Sequence, residues 1–189
     1  MPIDPALPVA ATAPRKSDRR RADIIDRLAD HVLAHGLAGA SLRPLAEAAQ
    51  LSDRMLLYYF PDKAAVIAAV LERVAERLTA LLGARTGTRP LPVDALLAAL
   101  HGVLFSEEVW PYLQLFLEVT ALAGRGEAVA RGVGERLGRG FLAWGAAQLD
   151  SPAETRAHDA ARLLVMVEGM MVLKSLGLAD VNAAALPKP

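Results

Sequence analysis

The segment Ser41 to Phe60, SLRPLAEAAQLSDRMLLYYF, constrains the fold more than any other part of the chain. It lies between two breakers: Gly36, suited to the left-handed residue that ends a helix, and Pro61, which disfavours helical geometry at Phe60. Ser41 is an N-cap candidate and Pro44 is tolerated inside the first turn, so Leu42, Leu45, Ala46 and Ala49 form the inner side of a helix of only about eight residues. Gln50 to Ser52 reads as a short turn. Ser52 or Asp53 then caps a second short helix, Arg54 to Tyr59. With Leu42, Leu45, Ala46, Ala49, Leu51 and Leu56 turned inward, Arg54, Met55, Tyr58 and Tyr59 are left for the outer side or its rim.

The flanks are helical too. Upstream, Ser17 or Asp18 caps a helix whose apolar stripe is Ile24, Ile25, Leu28, Ala29, Val32 and Leu33. Downstream of Pro61 a long helix is expected to about Gly83, with Asp62 in its first turn and Val66, Ile67, Val70, Leu71, Val74, Leu78 and Leu81 as its stripe. Thr86 to Pro92 is the clearest linker. Further helical segments follow at Val93 to Ser106, Glu108 to Ala123, Glu127 to Leu149 and Pro152 to Leu178. Of the 189 residues 53% are apolar and only 5% aromatic, which favours packed helices over sheets. The expectation is an all-α chain: a tail over residues 1–17, a three-helix helix-turn-helix domain over 18–78 with its motif at 41–60, and a helical domain over 79–189.

Several classes of function find no support. Charge-free apolar stretches such as Ala95 to Ser106, Val109 to Leu117 and Gly140 to Leu149 fall short of the ~18 to 20 residues of a spanning helix. Met1 to Pro14 holds four prolines and no basic residue, unlike a secretory signal, so a disordered tail on a cytoplasmic protein is expected. There is no cysteine for a disulfide, thiol nucleophile or thiolate site. His31 and His35 have the i, i+4 spacing of zinc ligands, but Val32 stands where a protease motif has Glu, and no third ligand suggests itself. Gly132 to Gly138 carries part of a dinucleotide fingerprint without the preceding strand. No cofactor, metal or catalytic residue is expected.

Two short helices joined by a tight turn, the second polar and aromatic on its outer side, form the layout that places one helix in a DNA major groove. A basic run, RKSDRRR from Arg15 to Arg21, precedes the first helix and suits a phosphate or minor-groove arm through Arg19, Arg20 and Arg21. The region from about Asp18 to Leu78 resembles the TetR-type transcriptional regulators. It has a first helix ending in glycine, the Ala46, Glu47, Ala49 step, the Leu51-Ser52 turn, and the ending Tyr59-Phe60 with Lys63, followed directly by a long helix. The resemblance implies a homodimer whose C-terminal domain receives a ligand and dimerises. It also implies DNA contacts from Ser41, Arg43, Ser52, Arg54, Met55, Tyr58, Tyr59 and Lys63. Arg43 is suited to read guanine, because a guanidinium donates two bonds to O6 and N7. Arg54 and Met55 replace the family's common Gly-Thr or Pro-Thr, and Leu57 replaces a tyrosine, so an altered base preference is expected.

In the C-terminal part His101, Phe105, Trp110, Gln114, Glu118, Met166 and Met170 are candidates to close a cavity around a small apolar or amphipathic ligand. Glu118 and Glu168 each interrupt an apolar helix. The family would place its dimer interface on the last two helices, where Gly132, Gly134, Gly138 and Gly140, then Ala157, Ala160, Ala161, Gly169, Met170 and Met171, permit close approach. The function these features imply is a repressor released from a palindromic operator in double-stranded DNA by a small molecule. The competing reading is a helical dimeric scaffold without DNA binding.

Overall fold

The computed structural model describes residues 16–87 and 89–186. Residues 1–15 of the expected tail lie outside the described residues, whereas Lys16 and Ser17 already belong to the first helix. The helices are α1 (Lys16–His35), α2 (Leu42–Ala48), α3 (Asp53–Tyr59), α4 (Lys63–Thr86), α5 (Val93–Leu104), α6 (Trp110–Gly124), α7 (Ala128–Gln148), α8 (Ala153–Ser175) and α9 (Ala179–Ala185). Among the described residues no strand forms, as expected. One isolated bridge pairs Leu91 with Leu149.

The breakers act where the sequence puts them. Gly36 takes φ +70° and ends α1, and its N–H still bonds the Val32 carbonyl at 2.8 Å. Ser41 caps α2 with extended backbone but without a side-chain bond. Ser52 caps α3 fully, its Oγ accepting the Met55 N–H at 3.2 Å. Phe60 is extended, at φ −135° and ψ 129°, ahead of Pro61. The turn between α2 and α3 runs through Gln50 at φ +57°, a left-handed conformation that costs a non-glycine residue about 1 kcal/mol. The Leu51 N–H closes that turn on the Ala46 carbonyl at 2.9 Å.

Several boundaries differ from expectation: α5 stops at Leu104 and not Ser106, and α6 starts at Trp110 and not Glu108. Asp62 is the N-cap of α4 and not part of its first turn, accepting the Ala65 N–H at 2.7 Å. The same helix passes through Gly83 to Thr86, since an isolated helical glycine costs only about 1 kcal/mol and Leu82 beside it is buried. The last expected helix stops at Ser175; Gly177 at φ +79° turns the chain, and α9 docks back through Asn182, whose Nδ2 donates to the Met170 carbonyl at 2.9 Å. The linker is pinned as well, because Leu91 donates to the Gln148 carbonyl and accepts from the Asp150 N–H, each at 2.9 Å.

Burial divides into two cores that α4 crosses. The first gathers α1 to α3 around Leu28, Leu45, Leu56, Phe60 and Val66, and draws in Leu115 and Val119 of α6 with Ala130 and Val133 of α7. The second surrounds Leu78, Leu82, Leu97, Leu104, Leu113 and Leu163. The crossing lies between Val74 and Leu78. Ala160, Met170 and Met171, expected at a dimer face, lie instead inside this second core.

Candidate nucleic-acid interface and ligand cleft

Helix α3 is only seven residues long, so its orientation depends on what it buries. Leu56 and Phe60 are sealed in the first core, and Leu42 and Leu51 pack partly against it. The other side is open: Arg54 is exposed, Met55 and Leu57 are largely so, and Tyr58 is 79% exposed. Arg54 and Tyr58 are four residues apart and share a helix face. Tyr59 is half-buried against the core, with its ring edge-to-face to Tyr58 at 5.5 Å. A tyrosine so placed packs its ring and leaves a rim for its hydroxyl.

Around α3 the charges are arranged by neighbouring elements. Arg21 lies over the Phe60 ring, its Cζ 4.8 Å from the centroid, which seats Arg21 against the end of α3; Arg19 and Arg20 are exposed. Ser41 is exposed, and Arg43 is exposed and bonds Glu47 one turn on at 3.1 Å. Lys63 is exposed as the first residue of α4. Asp62 takes the Ala65 N–H at the same helix end, so Lys63 supplies positive charge where one backbone donor is already engaged.

Not foreseen from the sequence is the clamp that sets α1 against α4. Arg73 grips Asp26 with two bonds of 2.7 and 2.8 Å, and Arg77 bonds Asp26 and Asp30, each at 2.6 Å. The Arg73 guanidinium, with Arg77 beside it, holds the Asp26 carboxyl at about 2, against the opposing pull of partial burial. A signal was present, since the acids Asp26 and Asp30 and the arginines Arg73 and Arg77 are each an i, i+4 pair. On α1 the Nδ1–H of His35 donates to the His31 carbonyl at 2.9 Å and the rings stack at 4.4 Å.

The ligand candidates do not converge on one cavity. His101, Phe105 and Trp110 form a chain of edge-to-face rings, at 5.2 and 5.9 Å, with the Lys174 ammonium 5.8 Å from the centroids of both Phe105 and Trp110. Trp110, Gln114 and Glu118, one turn apart along α6, line an open groove with Leu117 and Lys174. The Glu118 carboxylate accepts the Leu37 N–H at 2.7 Å. Met166 packs against the second core and Met170 is buried within it. The apolar cleft lies on the other side of α6, behind Leu113 and Phe116, shared with Leu82, Leu104, Phe141 and Trp144; it is partly open and its free volume is about 60 Å³. Helical spacing explains the difference: Gln114 and Glu118 mark the polar side of α6, whereas the cleft uses its apolar side. Glu168 of α8 lines the cleft, where burial pushes its carboxyl up to about 7.

Residues 24–70 match the family described as bacterial regulatory proteins, tetR family. The likeness in sequence to the TetR family thus covers these 47 residues. Solved structures extend the likeness in fold over the rest of the chain. A TetR-family transcriptional regulator from Cytophaga hutchinsonii is 19% identical, with 94% of this chain and 100% of that one covered at a TM-score of 0.67. A transcriptional regulator from Rhodococcus sp. Rha1 is 22% identical, with 92% and 88% covered at 0.61. The multidrug binding protein EbrR, complexed with imidazole, is 23% identical, with 97% and 99% covered at 0.61. No curated protein matches the chain. The matched residues run from within α1 through α3 into α4, and no helix among the described residues is long and apolar enough to cross a membrane.

Proposed function

We propose that the protein is a homodimeric repressor that binds a palindromic operator through α3 and releases it when a small molecule enters the C-terminal bundle. The observation that carries this reading is α3 itself: a helix anchored by Leu56 and the following Phe60, presenting Arg54, Met55 and Tyr58 outward on a TetR-type domain. Arg54, Met55 and Tyr58 enter the major groove; Ser41, Ser52, Tyr59 and Lys63 hold the phosphates; Arg43 reads a guanine at the groove edge after leaving Glu47. Arg19, Arg20 and Arg21 add charge along the backbone.

The surface of α8 supports a two-fold dimer. Val165, Val172 and Leu176 are exposed in the protomer, at 71%, 46% and 68%, and form one stripe with exposed Ala161 and Gly169. Exposed Gly140, Ala143 and Ala147 on α7 allow a second copy to approach closely. Two recognition helices then meet successive major grooves about 34 to 36 Å apart, which requires a palindromic site. Similarity to a multidrug binding protein supports a ligand in the bundle, and the bond from Glu118 to Leu37 connects that bundle with the end of α1.

The test is selection from a random DNA pool by the purified protein, beside an Arg54→Ala, Tyr58→Ala double variant. A palindrome enriched by the wild type alone is expected. Enrichment by both proteins, or by neither, removes α3 from the account.

A further inference from the structure

We propose that the cleft between α4 and α8 takes a lipophilic cation whose positive charge pairs with the Glu168 carboxylate. The proposal rests on the reading of the bundle as a ligand-receiving domain, and names the class of ligand.

Glu168 is the one charged residue lining a cleft otherwise walled by aliphatic and aromatic side chains. Among the described residues no hydrogen bond or ion pair engages it. Its own helix offers none, because the positions three and four away in either direction are Leu164, Val165, Met171 and Val172. Glu168 is half-buried, and a carboxylate partly withdrawn from water without a partner is unfavourable; a packing role alone would be better filled by leucine or glutamine. Burial accordingly raises its proton affinity.

Each class of occupant meets this arrangement differently. An anion is repelled, with no lysine or arginine on the walls to offset the repulsion. A neutral hydrocarbon fills the cleft but deepens the isolation of the carboxylate. A lipophilic cation restores a charge pair in a low-dielectric setting, where it is strong. The aromatic walls act in the same direction: Phe116 and Phe141 stand edge-to-face at 6.2 Å, Trp144 lies alongside, and ring faces attract cations. Acid and rings thus select for charge while the aliphatic walls select for apolar bulk.

The experiment uses the full chain and charge-matched probes read by calorimetry: benzyltrimethylammonium against its uncharged carbon isostere, and tetraphenylphosphonium against tetraphenylborate. At least one cation is expected to bind about tenfold or more tighter than its counterpart. Glu168→Gln should remove about that factor for the cation and leave the carbon isostere within about twofold. Because the variant removes an unpaired charge it should fold at least as firmly, which thermal unfolding checks. A counterpart that binds as tightly as the cation, or a Glu168→Gln variant that keeps cation affinity, overturns the ligand class while leaving the bundle a binding domain. Absence of binding by every probe overturns both.

Discussion

The Glu118 carboxylate and the Leu37 backbone N–H, 81 residues apart, are joined by a bond of 2.7 Å. The same carboxylate occupies the space a side chain at position 36 would need, since a Cβ on Gly36 would come within 2.6 Å of it. The positive φ is what favours glycine there, while a larger residue would also push the flexible Glu118 side chain aside and strain this bond.

Removing the acceptor should therefore loosen the end of α1. Glu118→Ala is expected to lower stability by about 1 to 2 kcal/mol and to speed hydrogen exchange at the Leu37 amide, with Glu118→Gln intermediate. Unchanged protection of that amide in the alanine variant would mean that the bond is not kept in solution.

Two carboxyls give stability opposite slopes with pH. Asp26, lowered from 3.8 to about 2, contributes stability that is complete above its unfolded value and is lost as pH falls through about 2. Glu168, raised from 4.5 to about 7, keeps its proton longer when folded, so stability falls as pH rises between those values. Denaturation curves should show Asp26→Asn weaker than wild type by about 1 to 2 kcal/mol near neutrality, a figure reduced for the partial exposure of the pair, with the difference shrinking in acid. Glu168→Gln should be the more stable protein above pH 7 and gain nothing near pH 4. Parallel curves for either variant would contradict the assignment.

On DNA, charge and base reading separate. Lys63→Ala should reduce the slope of log affinity against log salt by about one unit and weaken all sequences alike. Arg43→Ala should instead lose about 1 to 3 kcal/mol concentrated at one base pair. A uniform loss across sequences would move Arg43 to the phosphate backbone.

For the dimer, Val165→Glu is the sharpest change. The side chain is 71% exposed in the protomer, so a carboxylate there is tolerated by the single chain but buried without a partner between two copies. Sedimentation should report a folded monomer with a native helical spectrum. A variant that stays dimeric would place the interface elsewhere.

What the sequence revealed follows the range of the forces involved. Gly36, Ser52 and Pro61 act on their immediate neighbours, so the helix ends they set were legible one residue at a time. Gly83 has the same chemistry as Gly36, yet the helix continues past it, because burial of Leu78 and Leu82 decides there and burial depends on distant partners. The clamp between Asp26 and Arg73 spans 47 residues, and pairing at that separation leaves no local trace beyond two charged pairs at helical spacing. In the C-terminal bundle polar residues on α6 drew attention to Trp110, Gln114 and Glu118, whereas the apolar cleft formed where Leu113 and Phe116 turn inward. Glu168 was visible only as an interruption in an apolar helix until the cleft around it was formed.

Helix α4 belongs to both cores, and its 24 residues run without a break. At 1.5 Å per residue it is about 36 Å long, so a tilt of about 5° pivoting at its C-terminal end swings Lys63 sideways by about 3 Å. That arc equals the length of a hydrogen bond. A displacement too small to disturb the packing around Leu82 is thus magnified, by rigid geometry alone, into one large enough to take a lysine out of reach of a phosphate.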